Sequence, residues 1–162
     1  MWLSRLSIIV MLGLLAGCSG VSIAPLGKSI AGDNHPIAIV EASGRNGQIY
    51  SRALRKLLGH ADEPLFTLSS TLSVSSSSTL TVRGSSSNLK NKSMTVSISL
   101  VENATGKQVM SDSITGKSTV GTVSSYHAQT QSDKHADERT SLLLAERVAT
   151  RVHLYFLDAE RQ

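Results

Sequence analysis

The chain is poor in the things that usually announce chemistry. Its 162 residues hold one cysteine, Cys18, so no internal disulfide can form. Aromatic residues make up 4% of it, and the single tryptophan, Trp2, lies in the first few positions. The interior must therefore be filled by Leu, Val, Ile and Ala. Five histidines, His35, His60, His127, His135 and His153, show no metal-ligand spacing and read as ordinary surface residues. The many serines have no nucleophile elbow around them, and Gly44-Arg45-Asn46-Gly47 lacks the Lys-Ser/Thr of a phosphate loop. No paired acid and base and no activated nucleophile is visible, which argues against an enzyme. No cofactor is implied. The net charge of +4 suits an anionic partner, but without a basic stripe or recognition motif it does not argue for nucleic acid.

Only one apolar run is long, and it is N-terminal. Arg5 precedes Ile8-Ile9-Val10-Met11-Leu12-Gly13-Leu14-Leu15, and Ala16-Gly17 lead into Cys18. That is the layout of an export signal, and the run is short for a membrane span of roughly 20 residues. Leu15-Ala16-Gly17-Cys18 resembles the bacterial lipobox. The resemblance implies that residues 1–17 are removed and that Cys18 becomes the lipid-bearing N-terminus. An ordinary signal with a chance cysteine, or a short membrane helix, is the competing reading. Residues 18–34, with Gly, Ser and Pro25 in no period, read as anchor and tether. Residues 35–162 then form a single domain, long enough for a core.

Within that domain the hydrophobic period changes three times. Pro36-Ile37-Ala38-Ile39-Val40 predicts a strand, either buried on both faces or an edge strand entered through Pro36. Ile49, Ala53, Leu54, Leu57 and Leu58 predict a helix with Asn46 as N-cap and Gly59 as its end. From Phe66 the period is two: Phe66, Leu68, Leu72 and Val74, then Met94, Val96, Ile98 and Leu100, then Met110, Ile114 and Val120. Ser and Thr fill the intervening positions. The tract Ser75-Ser76-Ser77-Ser78 either continues the strand or kinks it. Gly84-Ser85-Ser86-Ser87-Asn88 and Asn103-Ala104-Thr105-Gly106-Lys107 read as turns. A closing helix is expected from Ser132 or Asp133 to about Leu157, with Ala136, Leu142, Ala145, Val148, Ala149, Val152, Tyr155 and Phe156 as its apolar stripe. The expected fold is α+β: a four-stranded, mostly antiparallel sheet with two helices on one face, in the order β-α-β-β-β-α.

Arg83, Lys90 and Lys92 flank the turn between the second and third strands with no acidic residue nearby in sequence. Such a cluster could bind phosphates of a lipid head group, or be a solvated turn that protects a strand end.

Taken together these segments resemble the lipopolysaccharide-assembly lipoprotein family, LptE, in its divergent alphaproteobacterial form. The resemblance rests on the lipobox, on Ile37-Ala38-Ile39-Val40 followed by Gly47-Gln48-Ile49-Tyr50-Ser51-Arg52-Ala53-Leu54, on the turn Glu102-Asn103-Ala104-Thr105-Gly106-Lys107-Gln108-Val109, and on the closing Leu143-Leu144-Ala145-Glu146-Arg147-Val148-Ala149-Thr150-Arg151-Val152-His153-Leu154-Tyr155-Phe156. The chain departs from the family in Ser19-Gly20-Val21, where relatives often carry a large residue, and in its serine tract. The resemblance implies an outer-membrane lipoprotein on the periplasmic face. It would plug an LptD-type barrel and help insert lipopolysaccharide, with Cys18 lipidated and Arg83, Lys90 and Lys92 as candidate lipopolysaccharide contacts. Ser19, which is not Asp, favours sorting to the outer membrane. A generic envelope lipoprotein that binds protein or peptidoglycan is the alternative; a lipid carrier would need a cavity that this core leaves little room for.

Overall fold

The computed structural model describes residues 36–59, 61–79, 89–159 and 161. The elements are β1 (Ile37–Ile39), α1 (Gly44–Leu58), β2 (Phe66–Thr79), β3 (Leu89–Glu102), β4 (Gln108–Gly121) and α2 (Tyr126–Ala159). One sheet runs β1-β2-β3-β4. β1 lies parallel to β2, as a crossover through a helix requires; the other pairs are antiparallel. Both helices pack on one face of it. The α+β architecture expected from periodicity is therefore the one observed.

β1 is the edge strand of the two readings left open. Ile37 is buried while Val40 is 49% exposed, so only one side of the run meets the core. The serine tract is strand: β2 continues through it to Thr79, in unbroken register with β3. Paired backbone outweighs serine's weak strand propensity here, because β3 supplies the ladder partner at every step. Leu80, Val82 and the turn 84–88 lie outside the described residues.

The expected N-cap at Asn46 is three residues late, since α1 begins at Gly44 with Ser43 as its N-cap, and Ser43 makes no side-chain cap bond. A buried hydrogen bond anchors the turn instead: the Ala42 N–H donates to the Ser51 hydroxyl at 3.0 Å. Gly47 has to be glycine, because a Cβ there would run into the Ala42 carbonyl. The helix ends as expected at Gly59, whose φ of 82° needs no Cβ and whose N–H caps the Arg55 carbonyl. Its buried face is Gly47, Tyr50, Ser51, Leu54 and Leu58. Leu57, expected in the stripe, is on the shoulder at 36% exposure. Tyr50, which the sequence reading passed over, is fully buried, and its hydroxyl meets that of Ser70 at 3.1 Å.

α2 starts at Tyr126, about two turns before the expected Ser132 or Asp133. Its first turns are largely exposed, so no apolar period betrays them. The Ser125 carbonyl accepts from the Gln129 N–H at 2.9 Å and holds that early start. The buried stripe is Ala136, Thr140, Ser141, Leu144, Ala145, Val148, Ala149, Val152 and Phe156. Leu142, placed in the stripe by sequence, is 41% exposed, and Leu144 takes the core position. Thr140 and Ser141 are buried without orphaned hydroxyls, since they donate to the Ala136 and Asp137 carbonyls one turn back. Gly116 of β4 is what lets α2 approach: a Cβ there would sit 2.9 Å from Thr140 Cγ2. The core joins Tyr50, Leu54, Leu68, Met94, Val96, Leu100, Leu144, Val148 and Val152, with Phe66 and Phe156 edge-to-face at 5.0 Å. Each large side chain so buried contributes about 1.5–3 kcal/mol before entropy is counted.

Candidate functional site

The sheet face away from the helices is the distinctive surface. Beyond the bulge at Leu100/Val101, alternation with period two sends the odd residues of β2, β3 and β4 to that side. The registers place Ser69, Ser99 and Ser111 in one cross-strand row, then Thr71, Ser97 and Ser113, then Ser73, Thr95 and Thr115. Ser75, Ser93 and Lys117 follow, and then Ser77, Asn91 and Thr119. In this patch, three strands wide and five rows long, Asn91 and Lys117 alone are neither serine nor threonine. The short side chains bond across strands: Thr95 to Thr115 at 2.9 Å, and Thr119 to Asn91 Oδ1 at 3.0 Å. The face carries many hydroxyls and one charge, and none of its fifteen positions is aromatic. At its distal end Ser75, Ser77, Ser93, Lys117 and Thr119 line an open groove of about 430 Å³.

The other face of the same distal segment carries the basic cluster. Lys90 and Lys92 have even numbers and point toward the helical side, and α2 brings acids to meet them. Lys92 Nζ is 2.6 Å from Asp137 Oδ1, 3.9 Å from Asp133 Oδ1, and donates to the Asp133 carbonyl at 3.3 Å. Lys90 Nζ donates to Asp133 Oδ2 at 3.2 Å. The reading that no acid stands near these cations is thus corrected. Asp133 and Asp137 are some forty residues away in sequence and within 4 Å in space. Because α2 starts at Tyr126, these two acids lie two to three turns inside the helix, where they serve the lysines. Lys92 is 8% exposed, so its charge is largely internal. Asp133 Oδ1 is buried without a hydrogen-bond partner. Arg83 and Cys18 lie outside the described residues.

The free edge of β4 is guarded from α2. Arg147 donates to the Thr115 carbonyl at 3.1 Å, and Arg151 Nε donates to Asp112 Oδ2 at 2.6 Å. The Ser113 backbone N–H, and then Arg151, hold the Asp112 carboxyl below its ordinary range. Arginines laid over an edge discourage strand addition there. Of the histidines, His127 and His135 are exposed as expected, while His153 is half-buried and burial pushes its imidazole below the ordinary value. His35 and His60 lie outside the described residues. Among the described residues no group of three His, Cys, Asp or Glu side chains could hold a metal.

The fold is one that solved lipoprotein structures share. A Caulobacter crescentus protein described as a lipoprotein matches at 21% identity with a TM-score of 0.58, over 74% of this chain and 89% of that one. Rare lipoprotein B from Shewanella oneidensis matches at 12% identity and a TM-score of 0.59, over 77% and 98%. A minor lipoprotein from Acinetobacter baumannii matches at 9% identity and a TM-score of 0.54, over 75% and 92%. At such identities the likeness is one of fold. No family model and no curated protein matches the sequence.

Proposed function

We propose that this chain is a lipid-anchored envelope lipoprotein of the LptE type, seated in the outer membrane through Cys18. Its partner would be an LptD-type barrel, which it plugs while lipopolysaccharide passes to the outer leaflet. The observation that carries this reading is the hydroxyl face. A barrel lumen is polar and wet, and a plug must fill it without burying unpaired charge. Serine and threonine meet that need: each donates and accepts, and neither carries a charge to desolvate. The lipobox and the solved lipoproteins of the same fold support the anchor half of the reading. On this reading the protein binds and assembles and catalyses no reaction. A generic envelope lipoprotein is the second reading, favoured by the fact that the solved structures of this fold are described as lipoproteins of several kinds.

Arg83 and Lys90 stay in this proposal as lipopolysaccharide contacts. A lipid phosphate would have to compete with Asp133 for Lys90. Lys92 is the poorer contact because its ammonium is already enclosed by two carboxylates. The experiment is a mild-detergent pull-down of the tagged chain from its native membranes, followed by mass spectrometry. A stoichiometric outer-membrane barrel is expected, and it should be lost when Ser97→Arg and Thr95→Arg put two cations in the middle of the hydroxyl face. A clean lipoprotein without a barrel would replace this reading with the generic one.

A further inference from the structure

The exposed side of α1 is a stripe of one sign. Arg45, Arg52 and Lys56 are separated by seven and four residues. At 3.6 residues per turn they fall within about 40° of one another around the helix. All three are exposed, and they lie opposite the buried Gly47, Tyr50, Leu54 and Leu58. None of the three has an acidic partner among the described residues, whereas Arg55, on the flank, pairs with Glu41 at 3.6 Å. The fifteen residues of α1 hold four cations and no acid. Solvated helix faces ordinarily mix signs. Here the stripe also has an apolar shoulder, with Ile49 and Ala53 half-buried and Leu57 36% exposed. A basic, amphipathic helix face of this composition suits a phospholipid head-group layer, where cations meet phosphates and the shoulder reaches the acyl boundary.

We infer that α1 docks on the anionic phospholipid surface of the leaflet that holds the lipid anchor. The inference rests on the anchor part of the function proposed above, and the position of α1 in the chain supports it. From Cys18 to Pro36 there are eighteen residues, which cannot reach beyond about 60 Å, and α1 follows β1 by only four residues. Among the described residues α1 is thus the helix nearest in sequence to the anchor. Tethering keeps its local concentration at the surface high enough for three cations to matter. The stripe belongs to the helical layer and the hydroxyl face to the opposite side of the sheet, so lipid and a protein partner can be engaged together.

The test uses the full, lipid-bearing chain with Gln48→Cys, an exposed α1 position, labelled with an environment-sensitive NBD dye. It is reconstituted into vesicles of phosphatidylethanolamine with phosphatidylglycerol, or of phosphatidylcholine alone. Dye emission should rise and shift to the blue in the anionic vesicles only. The shift should vanish in about 0.5 M salt, where screening is complete within a few Å. Arg45→Ser with Arg52→Ser and Lys56→Ser should weaken the surface contact roughly a hundredfold, about fivefold per cation. Equal emission in both vesicle types overturns the inference. So does loss of the signal on adding inorganic phosphate, which would make the stripe an oxyanion site, or on adding an acidic peptide, which would make it a protein site. The anchor is read separately, by mass spectrometry of Cys18 and by flotation of the chain with vesicles in high salt. Failure there removes the anchor reading, while the low-salt signal in anionic vesicles still decides the fate of the stripe.

Discussion

The two halves of the sheet are held to the helices by different forces. In the proximal half, Leu68 of β2 and Val96, Ile98 and Leu100 of β3 lie under Leu54, Leu144, Val148 and Val152. In the distal half, β2 offers Val74 at 46% exposure and then serines, and β3 offers Lys90 and Lys92. There Met94 and Val120 are still buried, and the tie to α2 gains ion pairs through Asp133 and Asp137. Apolar burial is non-directional and little affected by salt. An ion pair is directional, screened where it is exposed, and costly when one partner is lost. The same helix therefore rests on a packed seat at one end and on a clamp at the other.

The largest effect should come from the packed end. Leu144→Ala is expected to lower stability by about 3 kcal/mol, because its fully buried side chain leaves a cavity. Urea denaturation measures this, and the loss should be shared by both halves of the sheet. Lys92→Met comes next, at about 2 kcal/mol, since it leaves the half-buried Asp137 without its cation and Asp133 with Lys90 alone. Hydrogen exchange should then rise over residues 126–137 and stay unchanged in α1. A uniform rise would show that the clamp is not a local device. Raising the salt should weaken the more exposed Lys90–Asp133 pair slightly and spare both the enclosed Lys92 and the proximal half.

Gly116→Ala tests the seat from the sheet side. The new methyl would press on Thr140 and Leu144, and about 1.5 kcal/mol of destabilisation is expected on thermal denaturation. Tyr50→Phe should cost about 1 kcal/mol for its hydrogen bond to Ser70. Burial raises the Tyr50 phenol to about 12 from 10.0. The unfolded chain therefore loses this proton first as pH rises, and the stability tied to it, complete below pH 10, is lost between pH 10 and 12. Tyr50→Phe should flatten that alkaline decline. The smallest effect is on the hydroxyl face, where Ser97→Ala should change stability by less than about 0.5 kcal/mol. A larger loss there would mean that the face is structural and not a free surface.

Local rules set much of this molecule. Period-two alternation assigned Leu68, Met94, Val96, Ile98 and Leu100 to one side of a sheet and the serines to the other. A one-residue slip would expose that whole apolar set, so the pattern also specifies register. Gly59 stopped α1 because only glycine takes its positive φ without strain, and Gly106, with φ of 68°, turned β3 into β4. What periodicity could not reach were contacts made across the fold. The early turns of α2 are exposed and carry no apolar signal. The serine tract is strand only because β3 lies beside it. Leu142 and Leu144 both lie at the margins of the stripe, and the close approach of α2 to Gly116 of β4 seats Leu144 against the sheet. Lys92 looked unpaired because its partners are remote in sequence, and electrostatic pairing depends on distance in space. The chain alone thus determined which faces are apolar, hydroxyl or basic, since that follows from residue spacing. Which charges are neutralised, and which helix residues enter the core, was decided only when packing brought distant segments within a few Å.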